Sequence, residues 1–580
     1  MENFYKDNAE IEKAIDAIGL DEVAELCEEG FRFAGEYDFA PVDSADAIDN
    51  YKRALSICGE ICARDIAPTA EETDRVGNVL NADGSVTYAP GIARAVKLLG
   101  ASGLSGCTIP YYLGGLNMPC TVLTAANEIV SRADAALMNI FGLQGIAETI
   151  NRFADEETKK QYVPKLCDGT YTGAMVLTEP DAGSDLQSVK TSAWQDENGN
   201  WFVNGVKRFI TNGCGDVLLV LARTEPEFSD GRGLSCLLVE KGPKVKIRRL
   251  EHKLGINGSP TCEMVFDNAP AKLVGQRKRG LITYVMSLMN GARVGISAQG
   301  TGIGEAAYRA AREYAAGRKQ FGVAIEEFPA VRDLLCDMSA DLQAARLLAY
   351  YSSKSVDLED GLSKKFESLK GTPEAQAVRA RMKKYAAFNK MLTPMAKYYA
   401  SEMSMRVSNG ALAVLGGSGY MKDYPVERYL RDARITTIYE GTSQLQIVAA
   451  IAGVAAGLYN EVIDDVLDGV DVPPNLAGCV AAARELASAV DAANEAVKNN
   501  PLGKVYHDLH ARELVDAAIC AVVAALFVRY ASRFPEKEAV LEYWKETKFP
   551  AARAALERAK SGYSGAVGNF GRIAPACVAE

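Results

Sequence analysis

Four stretches of the chain carry residue types that can do chemistry. In Ile438-Tyr439-Glu440-Gly441-Thr442-Ser443-Gln444 a carboxylate follows an apolar and aromatic run and precedes a glycine. A carboxylate held in such a low-polarity cleft has its pKa raised toward the range of a general base. Read alone, Glu440 is equally an acidic residue at a helix start, favoured by the helix dipole. In Met175-Val176-Leu177-Thr178-Glu179-Pro180-Asp181-Ala182-Gly183-Ser184-Asp185, small residues let backbone approach a flat or anionic ligand. Thr178 and Ser184 add hydroxyls for ring heteroatoms or phosphates. An ordinary polar turn would read the same way. In Lys207-Arg208-Phe209-Ile210-Thr211-Asn212-Gly213, Phe209 and Thr211 lie two apart on a strand and share a face. That pairing suits shielding one side of an aromatic cofactor and hydrogen-bonding its edge. Arg318-Lys319-Gln320-Phe321-Gly322 offers a guanidinium, which matches pyrophosphate in a bidentate way. It follows a helix bearing Met289-Asn290-Gly291-Ala292-Arg293, where Arg293 meets a carboxylate or backbone carbonyls.

Other catalytic signatures fail on inspection. No G-x-x-x-x-G-K-[ST] loop occurs. Gly300-Thr301-Gly302-Ile303-Gly304 approximates a dinucleotide fingerprint, but lacks the last glycine and lies in a helical pattern rather than after a strand. Gly416-Gly417-Ser418-Gly419 has Tyr420 where a nucleophile elbow needs glycine. The only histidines are His252, His507 and His510, which removes most His-based metal sites and His-driven nucleophiles. His507 and His510 are expected on a solvent-facing helix surface. No metal site is expected.

The elements that must position these residues follow from periodicity. Residues 1–170 are helical by pattern, interrupted by the Pro/Gly-containing loop Ile109–Leu116. Residues 171–275 hold short runs rich in β-branched and aromatic residues: Thr191–Gln195, Trp201–Val203, Val206–Ile210, Val217–Arg223 and Leu234–Val239. Asn198-Gly199 and Asn204-Gly205 between the first three predict hairpin turns, so this region reads as a compact antiparallel β domain. Residues 276–460 return to helix, with long segments at Leu281–Gly317, Pro329–Ser355 and Pro373–Gly410. Val466–Asn475, with Asp-Val-Pro-Pro-Asn, predicts a linker, and 461–580 adds three Ala-rich helical stretches. The fold class is mainly α with a small middle β domain, in four domains.

Of 580 residues, 64 are Lys or Arg and 75 Asp or Glu, a net charge of −11. That balance argues against general affinity for nucleic acid or anionic membrane. The longest apolar runs, Ile447–Tyr459 and Ala517–Val528, are shorter than the ~17–25 residues that span a bilayer. No signal peptide is visible at Met-Glu-Asn-Phe-Tyr-Lys-Asp. Thirteen cysteines lack a disulfide framework, and Cys58 and Cys62 fall on one helix face as core residues. The expectation is a reduced, cytoplasmic protein.

Over about residues 50–455, the order and spacing of these segments resemble the acyl-CoA dehydrogenase flavoproteins. The resemblance rests on Thr178-Glu179-Pro180, Ala182-Gly183-Ser184-Asp185, Arg318-Lys319-Gln320-Phe321-Gly322, Leu415-Gly416-Gly417-Ser418-Gly419-Tyr420 and Tyr439-Glu440-Gly441-Thr442-Ser443-Gln444. It implies a helical domain, a β-barrel-like domain and a four-helix bundle. The 461–580 piece resembles the larger subgroup with an appended helical domain, expected to cover a dimer surface or narrow the substrate entrance.

The cofactor it implies is FAD and the substrate an acyl-CoA. Leu177, Thr178, Phe209, Ile210 and Thr211 match isoalloxazine-side positions, and Gly183 and Ser184 the flavin-side turn, where Ser184 also approaches the thioester. Arg318, Gln320, Phe321, Gly416 and Gly417 match positions that reach the FAD of a neighbouring subunit in a homodimer or homotetramer. Thr442 and Gln444 match the adenosine-diphosphate end. Asn290, Arg293 and Gly441 match substrate-side positions. Glu440 aligns with the catalytic base. The alternative position some relatives use is Ala292 here, which cannot take a proton. Glu440 would remove the α-proton as the β-hydrogen leaves as hydride to flavin N5, giving trans-2-enoyl-CoA. Electrons would pass on to electron-transfer flavoprotein.

Departures from the pattern are Phe209 for the frequent Trp, Phe328-Pro329 for Phe-Gln or His-Gln, and Ala413 for Gln; the last two remove amides near the adenine. Alternatives are a sibling reaction (decarboxylation, desulfination or enoyl-CoA reduction) or a nucleic-acid-associated flavoprotein. The 461–580 segment holds 13 Lys and Arg against 17 Asp and Glu, a balance of −4, whereas a DNA-binding domain should be basic. Met138–Leu143, near the pocket wall, mixes Met, Phe and Leu and suggests an apolar acyl group.

Overall fold

The computed structural model describes residues 3–576, the side chains of Ser287, Met289 and Asn290 excepted. Cys120–Ala133, the most enclosed of the N-terminal helices, is buried from Thr121 to Ala133. It runs between the Ser44–Ile61 helix and two long helices, Met286–Gly317 and Pro329–Ser368. Its close crossing with Met286–Gly317 explains the Gly-x-Gly-x-Gly run. A Cβ on Gly302 would stand 2.3 Å from the Glu128 carbonyl oxygen, and one on Gly300 2.7 Å from that of Ala400. These glycines admit neighbouring helix backbones, not a dinucleotide. The chain leaves the Cys120–Ala133 helix through Asp134, whose carboxylate accepts from the N–H groups of Ala136 and Leu137 and caps Ala135–Phe141. Cys58 and Cys62 are fully buried, as expected.

Seven strands form the middle domain: Gly173–Val176, Ser192–Gln195, Trp201–Thr211, Val217–Arg223, Leu234–Glu240, Val245–Leu250 and Thr261–Val274. Val217–Arg223 pairs with Leu234–Glu240, which pairs with Thr261–Val274, then Trp201–Thr211, then Ser192–Gln195, which bridges back to Val217–Arg223. The circuit closes into a small barrel whose strand edges are largely covered. It is not wholly antiparallel: Gly173–Val176 runs parallel to Val217–Val220. Asn198-Gly199 forms the expected turn, with Gly199 at φ 85°. Asn204-Gly205 does not. It is an irregularity inside one continuous strand, where the register shifts between Val203 and Gly205. Its glycine serves a close approach, since a Cβ there would meet Thr191 Oγ1 at 2.5 Å.

Beyond the barrel, Met286–Gly317, Pro329–Ser368, Ala375–Leu415 and the shorter Ser443–Ala455 pack as the C-terminal helical layer. Three further helices, Ala477–Lys498, Lys504–Arg533 and Glu538–Lys560, follow a stretch at 468–473 without regular structure. They are not a separate bead. Their apolar residues join one core with the first helices and the Pro329–Ser368 and Ala375–Leu415 helices. Polar ties cross the same seam: Lys537 Nζ donates to Glu10 at 2.6 Å, and Arg529 Nε to the Ala17 carbonyl at 2.6 Å.

Two expectations change here. His510 is 4% exposed, its ring tilted against Tyr506 with centroids 4.4 Å apart, because its helix face turns inward; His507 is half-buried. The helix holding Ala517–Val528 extends over Lys504–Arg533 and is long and apolar enough to cross a bilayer. Its apolar window is 89% buried within the fold, the pattern of a core helix.

Candidate active site

Glu440 lies in the turn between the helices Val426–Thr436 and Ser443–Ala455. Glu440 and Gly441 both take left-handed backbone, φ 52° and 85°. Glycine adopts that conformation freely and glutamate does not. Two side chains hold the strained turn. Gln446 Nε2 donates to the carbonyl oxygens of Glu440 and Gly441, at 3.0 Å each. Lys397 Nζ, from the Ala375–Leu415 helix, donates to Gly441 O at 2.7 Å. A Cβ on Gly441 would stand 2.6 Å from Gln446 Nε2, so the glycine is required twice over. Strain kept at a buried carboxylate points to function.

Burial pushes the Glu440 carboxyl up, against the attraction of Lys397 and Arg293. Lys397 is 0% exposed, and burial brings its ammonium down to about 8 while Glu440 and Glu402 pull it up. Replacing Lys397 with Met removes the larger of the two attractions on Glu440. The carboxyl then titrates higher, so the acid limb of a rate profile moves to higher pH, while circular dichroism stays native. A profile whose acid limb stays put or moves down contradicts this coupling.

A cavity of about 90 Å³ opens beside Glu440. Tyr439, Met175 and Thr211 from the barrel, and Gly291 and Ala292 from the Met286–Gly317 helix, face it with Glu440. The structure therefore brings Glu440, Gly441 and Thr211 together. Arg293 shares this end, through its attraction to Glu440. The Asn290 side chain lies outside the described residues.

The loop 177–185 is pinned from inside the barrel. Lys207 is buried, donates to Leu177 O at 2.8 Å and pairs with Glu179 at 2.9 Å. Glu179 in turn accepts from the N–H groups of Lys190 and Thr191, at 2.8 Å each. This leaves Thr178 half-buried, and Gly183 and Ser184 exposed. Across from the loop, the register shifts between Lys207 and Ile210, and Phe209 takes φ 62°. Ile210 turns into the barrel core, Thr211 reaches the cavity, and the Phe209 ring is 53% exposed with Arg208 over it at 4.6 Å.

A second group gathers at the other end of the Met286–Gly317 helix. The hairpin Lys319–Gln320 with Val323–Ala324 presents Arg318, Gln320 and a Phe321 that is 96% exposed. Tyr314 OH donates to Ser418 Oγ at 3.3 Å, which sets Gly416 and Gly417 beside that hairpin. No atom lies within 4 Å of a Cβ built on either glycine, so their backbone is open to a ligand. Thr442 caps the Ser443–Ala455 helix by accepting from the Leu445 N–H, and Gln444 is exposed on its first turn. Hydroxyls and an uncovered aromatic at the barrel mouth suit a flat ring, while the open glycine pair and exposed guanidinium at the far end of the long helix suit a phosphate.

Lys397, Gln446, Lys207 and Glu179 were not singled out by sequence. The available signal for Lys397 is a lone charge in the apolar run Met391–Tyr399.

A barrel set among helical layers, with a strained, buried carboxylate facing a cavity at their junction, is a framework that can hold a base beside a bound ligand. Comparison with known proteins gives the family. The acyl-CoA dehydrogenase N-terminal, middle and C-terminal domain models match residues 54–170, 174–269 and 279–455. An acyl-CoA dehydrogenase of Bacillus subtilis is 38% identical over 60% of this chain and 86% of its own. The 3-methylmercaptopropionyl-CoA dehydrogenase of Ruegeria pomeroyi is 34% identical over 69% of each chain. An acyl-CoA dehydrogenase of Bacillus anthracis, solved with FAD, shares the fold at TM-score 0.74 and 22% identity, over 89% of both chains. The chain belongs to the acyl-CoA dehydrogenase family, an oxidoreductase family that binds FAD.

Proposed function

We propose that the protein dehydrogenates an acyl-CoA across its α and β carbons to a trans-2-enoyl-CoA, with Glu440 as the base that takes the α-proton. The observation carrying this reading is the buried Glu440 carboxyl at the wall of the cavity, on a turn whose backbone Lys397 and Gln446 hold. FAD, when bound, accepts the β-hydrogen as hydride. The chain's own residues do the rest. Leu177, Thr178, Phe209, Thr211 and the backbone of Ile210 hold the ring, with Gly183 and Ser184 at the turn beside it. Thr442 and Gln444 hold the adenosine-diphosphate end. Ser184, Asn290, Arg293 and Gly441 serve the substrate. Burial excludes water from Glu440 and keeps its basicity matched to a weakly acidic α-carbon.

Arg318, Gln320, Phe321, Gly416 and Gly417 serve the FAD of a second copy, in a homodimer or homotetramer. The nearly bare Phe321 supports that reading, because a fully solvated aromatic at a hairpin tip is the kind of group a partner covers. Electrons pass to electron-transfer flavoprotein. Free thiols at every described cysteine favour a reducing, cytoplasmic setting.

The test is anaerobic addition of saturated acyl-CoAs to the FAD-loaded protein. Loss of the yellow absorbance with a matching amount of trans-2-enoyl-CoA supports the proposal. A FAD-loaded protein that no acyl-CoA bleaches overturns it.

A further inference from the structure

The wall of the cavity beside Glu440 is mostly apolar, as Met138–Leu143 suggests, with Leu123, Leu288 and Ile296 adding to it, but polar side chains interrupt it. Met138 and Leu143 face it, but so do Asn127, Asn139, Thr124 and Glu148. Asn139 is 7% exposed. Its Oδ1 accepts at 2.9 Å from Gln299 Nε2, a nitrogen whose orientation is fixed by its other bond, to the Ala135 carbonyl. The amide therefore cannot be turned round, and its Nδ2 is left buried without a partner. Asn127, 3% exposed, leaves its Oδ1 likewise unpartnered. A buried polar atom without a partner costs about 1–3 kcal/mol, so two in one small cavity imply a ligand that completes them.

Size and charge narrow the ligand. A cavity of about 90 Å³ is small, which favours a short acyl chain. Glu148 and Glu440 are both acidic, and no Lys or Arg lines the cavity among the described residues. Lys397 and Arg293 are engaged with Glu440, so an ω-carboxylate at the Glu148 side would meet an acidic wall. A hydroxyl both donates and accepts, and so can answer an orphan acceptor and an orphan donor.

Resting on the dehydrogenase reading, we propose that the substrate is a short acyl-CoA whose acyl chain carries a hydroxyl, recognised by Asn139 Nδ2 and Asn127 Oδ1.

The experiment uses FAD-loaded protein and butyryl- and pentanoyl-CoA against their 4-hydroxy counterparts, with succinyl-CoA as the charged control. Turnover is read by flavin bleaching. Affinity is read by calorimetry on FAD-loaded Glu440→Gln, which keeps the cavity without the base. Hydroxylated chains are expected to exceed plain ones at least tenfold in both readouts, with succinyl-CoA weakest. Asn127→Leu, close in shape, is expected to cut the hydroxyl preference tenfold or more and to improve the plain chains. Equal affinity for plain and hydroxylated chains overturns the proposal, as does a preference untouched by Asn127→Leu. Failure of the dehydrogenase reading looks different: tight binding of acyl-CoA without bleaching of the unmutated protein.

Discussion

Glu440→Gln keeps its FAD, keeps its affinity for acyl-CoA, and is reduced by acyl-CoA at least 10²–10⁴ times more slowly, the usual worth of a positioned general base. Glutamine fills the same volume and leaves the held turn intact, because its restraints act on backbone. Gln446 and Lys397 grip the carbonyls of residues 440 and 441, not the carboxyl. The substitution therefore removes a proton acceptor and little else. Ala292, at the other position from which relatives supply a base, offers no substitute. Glu440→Asp is the sharper companion. It preserves the acid but withdraws it by one methylene from a cavity only about 90 Å³ in size, and a misplacement near 1 Å costs about 10²-fold. Stopped-flow bleaching measures both. A Glu440→Gln protein bleached at the normal rate removes Glu440 from the chemistry.

The sequence exposes Glu440, the barrel and the long helices because each is written locally: a motif, an alternation, a 3.6-residue period. What holds them is written at a distance. Lys397 is 43 residues before Glu440 and looks like any lysine on a long helix, until packing buries it against Gly441 O. Asn127 and Asn139 sit on neighbouring helices, and only the hydrogen bond from Gln299 Nε2 reveals that one amide nitrogen is left over. Asn204-Gly205 misleads for the converse reason. Its local chemistry is that of a hairpin, but the close approach of Thr191 uses the same glycine to let a strand run on. His510 misleads similarly, since a 30-residue helix buried between others has no solvent face where the histidine falls. The appended helices are legible as helices, while their sharing of one core with the first two helices is not.

Arg346→Met gives the second large effect, on stability. Arg346 stands at the meeting of the Pro329–Ser368, Cys120–Ala133 and Met286–Gly317 helices, 1% exposed. Its Nε and Nη2 donate to Glu128 at 2.9 and 2.7 Å, and Nη2 also to Glu305 at 2.6 Å. Tyr350 OH donates to the other Glu128 oxygen at 2.7 Å. Burial raises Glu305, but Arg346 and Arg309 outweigh it and hold its carboxyl below the ordinary range. Removing the guanidinium leaves the buried Glu128 without a cation and Glu305 with Arg309 as its remaining ion-pair partner. The expected cost is about 3–5 kcal/mol, read as an earlier denaturant midpoint at unchanged slope. Because Glu305 is held low in the folded state, its favourable contribution is present at neutral pH and lost as pH falls through its folded pKa. The gap between the unmutated and Arg346→Met proteins therefore narrows in acid. Replacing Arg346, Glu128 and Glu305 together with Met and Leu separates stability from function. A buried ion cluster exchanged whole for apolar residues is often neutral or stabilising by about 1–4 kcal/mol. Glu128 follows Asn127 directly, and Gly302 packs on the Glu128 carbonyl three residues before Glu305. The triple variant is expected to regain stability while the cavity wall keeps a looser register, seen as a lowered hydroxyl preference with Glu440 chemistry intact. A single Arg346→Met that melts like the unmutated protein refutes the clamp.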